Sequence, residues 1–180
     1  MTSHLRLQWV DALRGLAIVL MVAFHFCYDL TYYKLASFDF YNDRFWLNFR
    51  TGILGLFLFV TGISLWLANQ EKLIWTAISR RFLLILANAF VISLTTWLLF
   101  GERYVYFGVL HFIAVASVLG LLFVRFYWLT FVFAIIVLIS GQLAFPWFDS
   151  GRWRHLAGLM TYKPATEDYV PLLPWFSVVL

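Results

Sequence analysis

Asp11, Arg14, His25 and Asp29 interrupt the run WVDALRGLAIVLMVAFHFCYDL, whose other members are almost all apolar. An ionisable group in such a setting is a functional candidate by default, because lipid solvates charge poorly. A histidine changes charge near neutral pH, so it can take a proton from an attacking nucleophile and give it back. An arginine holds carboxylates and phosphates through a fixed fork of N–H groups. Arg14 and His25 are eleven residues apart. On an α-helix eleven steps of about 100° end roughly 20° past three full turns, so the two share a face, with His25 about 16 Å further along the axis. Asp11 lies one turn before Arg14 and Asp29 one turn after His25, which makes a polar stripe. The plainer alternatives are an interfacial Asp11–Arg14 ion pair, a helix end marked by Asp29, and a histidine satisfied by a neighbouring helix.

Two further sets carry possible chemistry. GVLHFI places His111 one turn after Gly108 and seven residues after Tyr104, all on one face. SRRF places Arg80 and Arg81 at the head of another apolar run, in which Arg81, Asn88 and Thr95 recur every seven residues. That pair suits an anion such as a phosphorylated cofactor, or serves as a basic anchor at a membrane surface. His111 reads equally as a packing histidine. The chain has no phosphate-binding glycine loop, no HExxH, no GxSxG and no Cys/His cluster with metal-ligand spacing, so no metal is expected. Cys27 is the single cysteine and sits in an apolar run, where it packs.

The elements that position these residues follow from composition. Of 180 residues, 63% are hydrophobic and 12% charged, against about 45–50% and 25% in soluble domains. This excludes a soluble domain, a disordered chain and a disulfide scaffold. Thirteen Lys and Arg against nine Asp and Glu are too sparse for a nucleic-acid surface. A membrane core needs roughly 20 apolar residues per helix. Five runs fit: Trp9–Leu30, Gly52–Ala68, Phe82–Phe100, Tyr104–Val124 and Phe126–Phe145. A sixth starts near Pro171, and the apolar end Val178-Val179-Leu180 suggests a chain that continues. The expected architecture is an all-α polytopic transmembrane helix bundle, a single domain over residues 1–180, with five full spans and a truncated sixth. The continuous apolar runs argue against a β-barrel. Asp11, Arg14 and the lack of a small-x-small site argue against a cleaved signal peptide. Gly52, Gly55 and Gly62 suggest close helix packing. Trp9, Trp46, Trp75, Trp128 and Trp147 fall near helix ends, as an interfacial belt would.

With the N-terminus inside, Arg6, Arg14, Lys72, Arg80, Arg81 and Arg125 are cytoplasmic. Lys34, Arg44, Arg50, Arg103, Arg152, Arg154 and Lys163 are then outside. Six against seven does not decide orientation. The inner positives sit tightly at helix ends, whereas the outer ones are diluted among acids in longer loops, so a cytoplasmic N-terminus is the expectation.

VDALRGLAIVLMVAFHFCYDL resembles the first helix of the bacterial heparan-alpha-glucosaminide N-acetyltransferase catalytic-domain-like family, and GILGLFLFVTGISLW, FGVLHFIAVASVL and DYVPLLPWF fit the same family in order and spacing. The Arg14-x10-His25 spacing also resembles the Arg-x10-His motif of membrane acyltransferase family three. The resemblance implies a multi-pass protein of the bacterial inner membrane. It would move an acetyl or other acyl group from cytoplasmic acyl-CoA to a sugar or glycan acceptor across the membrane. It implies a catalytic or donor role for His25 and Arg14. Asp29, one turn from His25, is placed by its own spacing to orient the ring or accept its second N–H. Arg80, Arg81 and His111 are implied at the acyl-CoA. The link Thr31–Arg50 has no histidine, where the lysosomal branch carries its catalytic one. The implied partners are the lipid bilayer, the acyl-CoA and the acceptor, with a homo-oligomer left open and nucleic acid not among them. Two rival readings remain at this point: a small-solute or proton transporter lined by the polar stripe, and a non-enzymatic assembly subunit whose polar residues bind neighbouring helices.

Overall fold

Apolar segments in lipid fold as helices because the backbone then satisfies its own N–H and C=O groups without water. The computed structural model describes residues 7–69, 74–166 and 168–180. Arg6 and Lys72, two of the expected cytoplasmic positives, lie outside the described residues. The α-helices are α1 (Gln8–Tyr32), α2 (Arg44–Ala68), α3 (Trp75–Phe100), α4 (Val109–Gly120), α5 (Tyr127–Ser140) and α6 (Leu172–Val179). Among the described residues there is no strand, only an isolated parallel bridge between Phe107 and Tyr169. The chain is all-α.

Among the described residues three helices, α1, α2 and α3, are long and apolar enough to cross a membrane. They have 25, 25 and 26 residues, or about 38 Å each, against a hydrocarbon core about 30 Å thick. The expected fourth and fifth spans form shorter helices of 12 and 14 residues, about 18 and 21 Å. Residues 104–108 lead into α4 without helix, and turns occupy residues 121–125. Past Ser140 the fifth run turns out of α5. Conversely, α2 starts at Arg44 rather than Gly52, and α3 at Trp75 rather than Phe82. Charged residues end an apolar window, but exposed Arg44, Arg50, Arg80 and Arg81 do not end a helix.

By contact density the chain divides into two compact units, Met1–Val60 and Thr61–Leu180. In the first, the link after α1 turns tightly: the Leu30 carbonyl accepts from the Leu35 and Ala36 N–H groups, and Lys34 adopts a positive φ of 60°. The Asp39 carboxylate accepts from the Tyr41 and Asn42 N–H groups at 3.0 and 2.9 Å, a local turn typical of Asp. The Asn42 side-chain amide, which contributes most, and these two N–H groups hold its pKa below the ordinary carboxylate value. Asp43 Oδ1 accepts from Phe45 N–H at 2.8 Å and so satisfies a first-turn donor of α2. Phe40 and Trp46 are buried with ring centroids 4.5 Å apart, and Phe24 packs edge-on to both. Trp46 therefore belongs to an aromatic cluster rather than to an interfacial belt. Trp9, Trp75, Trp128 and Trp147 are exposed at or near element ends.

In the second unit α3 packs on α4, while α6 packs on both α4 and α5. Phe112 is fully buried, with Ala114 and Ala116 beside it on α4. A Cβ at Gly62 would lie 2.2 Å from the Val179 carbonyl oxygen, and one at Gly141 would lie 2.5 Å from Pro174 Cβ. Both glycines let α6 come close. Gly52 and Gly55 meet nothing within 4 Å.

Candidate functional site

His25 and Asp29 project from α1 into a shallow open depression lined also by Met21, Val22 and Phe26. Both are exposed. His25 Nδ1 is 3.0 Å from the Met21 carbonyl oxygen. A carbonyl only accepts, so Nδ1 carries the hydrogen and Nε2 keeps its lone pair. The Phe24 ring stands edge-on to the imidazole with centroids 5.8 Å apart. Asp29 lines the same depression without bonding the ring. Toward the start of α1, Arg14 pairs with Asp11 at 2.8 Å. The stripe seen in the sequence is thus an ion pair in the first turns and a His–Asp depression about three to four turns later, both on one helix.

His111 is positioned differently. Its Nδ1 accepts from Gly108 N–H at 3.3 Å, and its Nε2 lies 3.2 Å from Ser93 Oγ. Ser93 gives its only hydrogen to the Val105 carbonyl at 2.6 Å, so the imidazole must donate from Nε2. Both nitrogens are committed within the protein, one of them in the return half of a capping box at the start of α4. The Asp168 carboxylate completes that start by accepting from Val109 N–H at 2.8 Å, where the helix N-terminus favours negative charge. A Cβ at position 108 would lie 2.2 Å from Asp168 Oδ2. Glycine is required there by the close approach. Ser93, His111 and Asp168 have the residue types of a hydrolytic triad, but the Ser93 hydrogen points at a carbonyl and not at the ring.

FGVLHF and DYVPLLPWF, distant in sequence, therefore meet. Val170 N–H bonds the Phe107 carbonyl at 3.3 Å, and Thr166 Oγ1 bonds the Tyr104 carbonyl at 2.8 Å. Beside this seam lies a polar cluster that sequence reasoning missed. His155 is buried, its Nδ1 2.9 Å from the Tyr106 hydroxyl, and the Tyr169 hydroxyl donates to its carbonyl. Tyr106 and Tyr169 lie outside the helices. Burial pushes the Tyr106 phenol up to about 12 and raises Tyr169 further, so both remain donors. Asp149 accepts from Thr161 N–H and Oγ1 at 2.9 and 2.6 Å, which lowers its pKa below the ordinary carboxylate value. The Arg154 guanidinium lies 4.1 Å from the Trp147 ring centroid and 5.1 Å from that of Trp153. No local pattern announces the cluster, because hydrogen-bonded partners such as Tyr106 and His155 are 49 residues apart.

Arg80 and Arg81 occupy the second turn of α3, both exposed. Arg81 borders a cavity shared with Asn69 and Ser117. Further along α3, Asn88 bonds the Leu84 carbonyl at 2.8 Å and Thr95 the Val91 carbonyl at 2.9 Å. Their polar groups are turned onto their own helix backbone, as a lipid-facing hydroxyl or amide requires. Among the described residues no three His, Cys, Asp or Glu side chains are grouped to hold a metal ion.

A family model described as "Heparan-alpha-glucosaminide N-acetyltransferase, catalytic" matches residues 6–180. No curated protein and no solved structure matches the chain. The chain belongs to that family.

Proposed function

We propose that this family member is an integral membrane acyltransferase that moves an acetyl or other acyl group from acyl-CoA at the cytoplasmic face to a sugar or glycan acceptor across the bilayer. The observation that carries this reading is the family match over residues 6–180. The His25 geometry supports it: Nδ1–H is tied to Met21, which leaves the Nε2 lone pair beside an open depression. In the proposed step Nε2 takes the proton of an acceptor hydroxyl or amine as its oxygen or nitrogen attacks the thioester carbonyl. The C–S bond breaks, and the departing thiolate of CoA is protonated from the imidazolium. Asp29 favours the imidazolium as it forms. Arg14 helps position the donor. Arg80 and Arg81 hold donor phosphates, a task suited to the guanidinium fork. His111 serves the donor end by fixing the start of α4. The five-span topology with a cytoplasmic N-terminus belongs to the same proposal.

The test is release of CoA thiol from acetyl-CoA by the full chain in membranes, screened against amino sugars and glycans. Replacing His25 with Gln is expected to lower transfer by about 10²–10⁴-fold, the usual contribution of a general base. A normally inserted His25→Gln protein with full activity would overturn the assignment. Solute flux in reconstituted vesicles without acyl-CoA, and no binding of CoA, would favour the transporter.

A further inference from the structure

Ser117 differs from several other hydroxyls on these helices. Thr51, Thr95, Thr96 and Ser140 each bond a carbonyl three or four residues earlier. Ser117 is 9% exposed, yet its Oγ is buried without a hydrogen-bond partner. The residue lines a cavity of about 140 Å³ enclosed by the end of α2, the first turns of α3 and the face of α4. Most of the wall is apolar, including Leu65, Ile78 and Phe82. The polar residues on it are Asn69, Ser117 and Arg81. Asn69 is 3% exposed and gives an amide hydrogen to the Leu65 carbonyl at 2.7 Å, while Arg81 is exposed at the rim.

That distribution selects a ligand. An anion calls for several N–H donors or a buried cation, whereas the interior here offers a neutral hydroxyl and a carboxamide. A secondary amide flanked by methylenes matches it, since it supplies a donor and an acceptor on an otherwise apolar chain. The volume compares with that of a benzene-sized cavity, enough for one such segment. A phosphate continuing from that chain would lie outside, within the field of the rim guanidinium.

We infer that this cavity receives the amide-bearing pantetheine arm of the acyl donor, with the Ser117 hydroxyl as its buried hydrogen-bond partner. The inference rests on the acyl-CoA reading and adds a specificity residue to it. Ser117→Ala removes the hydroxyl without removing any bond made in the free protein, so its melting temperature is expected to match or exceed the parent's. Ser117→Leu fills the cavity as well.

The experiment measures binding of acetyl-CoA, pantetheine and adenosine 3′,5′-bisphosphate to the full chain in nanodiscs, with thermal melts to establish folding. Ser117→Ala is expected to weaken acetyl-CoA and pantetheine by about tenfold and to leave the bisphosphate unchanged. Ser117→Leu is expected to abolish pantetheine binding. Unchanged affinities in both folded variants would show that the cavity holds only water and would overturn the inference while sparing the donor reading. A loss confined to the bisphosphate would overturn it by placing phosphates inside. Failure of the parent chain to bind acetyl-CoA would remove the acyl-CoA reading and the inference together.

Discussion

At the scale of single residues, the most constrained point is where Gly108, His111 and Asp168 meet. Gly108→Ala would drive a methyl group into the Asp168 carboxylate, 2.2 Å from the ideal Cβ position, and displace it from Val109 N–H. Thermal unfolding should show a loss of about 1–3 kcal/mol, the usual range for overpacking. Stability equal to the parent's would mean that the carboxylate moves away freely. Asp149 offers a separate test outside the spans. Its pKa is lowered in the folded chain by the Thr161 hydrogen bonds. A depressed carboxylate contributes stability that is fully present above its unfolded value, near pH 4, and is lost as the pH falls through its folded value. Asp149→Asn should therefore flatten the acid limb of a melting-temperature profile below about pH 5 and leave its shape above pH 5 unchanged. A profile as steep as the parent's would remove Asp149 from the acid response.

At the scale of elements, Gly62 and Gly141 give α6 its seat. Gly62→Val would place a branched side chain against the Val179 backbone. Circular-dichroism melts should show α6 loosened, at about 1–3 kcal/mol, and Gly55→Val, which meets nothing within 4 Å, should lie close to the parent. A larger loss at Gly55 would reverse the assignment. Hydropathy made α1 legible almost to its ends and marked where the other helices lie. It misjudged the starts of α2 and α3, because a window average stops at Arg50 or Arg81 while backbone hydrogen bonding does not. It also assigned Trp46 to the membrane interface. Position near a helix end does not distinguish a belt tryptophan from one folded back onto Phe24 and Phe40. The polar stripe on α1 was legible because helical spacing is local. The cluster of His155 with Tyr106 and Tyr169 was not, since loops carry no period and its contacts close over long stretches of chain.

At the scale of the whole molecule, long faces of α1, α3 and α5 are apolar and exposed, among them Val22 at 63%, Leu99 at 75% and Ile139 at 62%. Water penalises contiguous patches of this kind and lipid does not. Whether α4 crosses can be read from the positions of the charges that flank it. Single Arg103→Cys and Arg125→Cys proteins in a Cys27→Ser background should react with an impermeant maleimide from opposite sides of sealed membranes. Reaction of both from one side would show that α4 does not cross. The bond from Asp168 to Val109 spans 59 residues, and this separation has a consequence for biosynthesis. While a ribosome is still making α5 and the loop behind it, the opening turn of α4 has no carboxylate to settle against. That turn stays provisional until the later segment emerges, so a stalled or prematurely released nascent chain would present α4 to the insertion machinery with its first amide exposed.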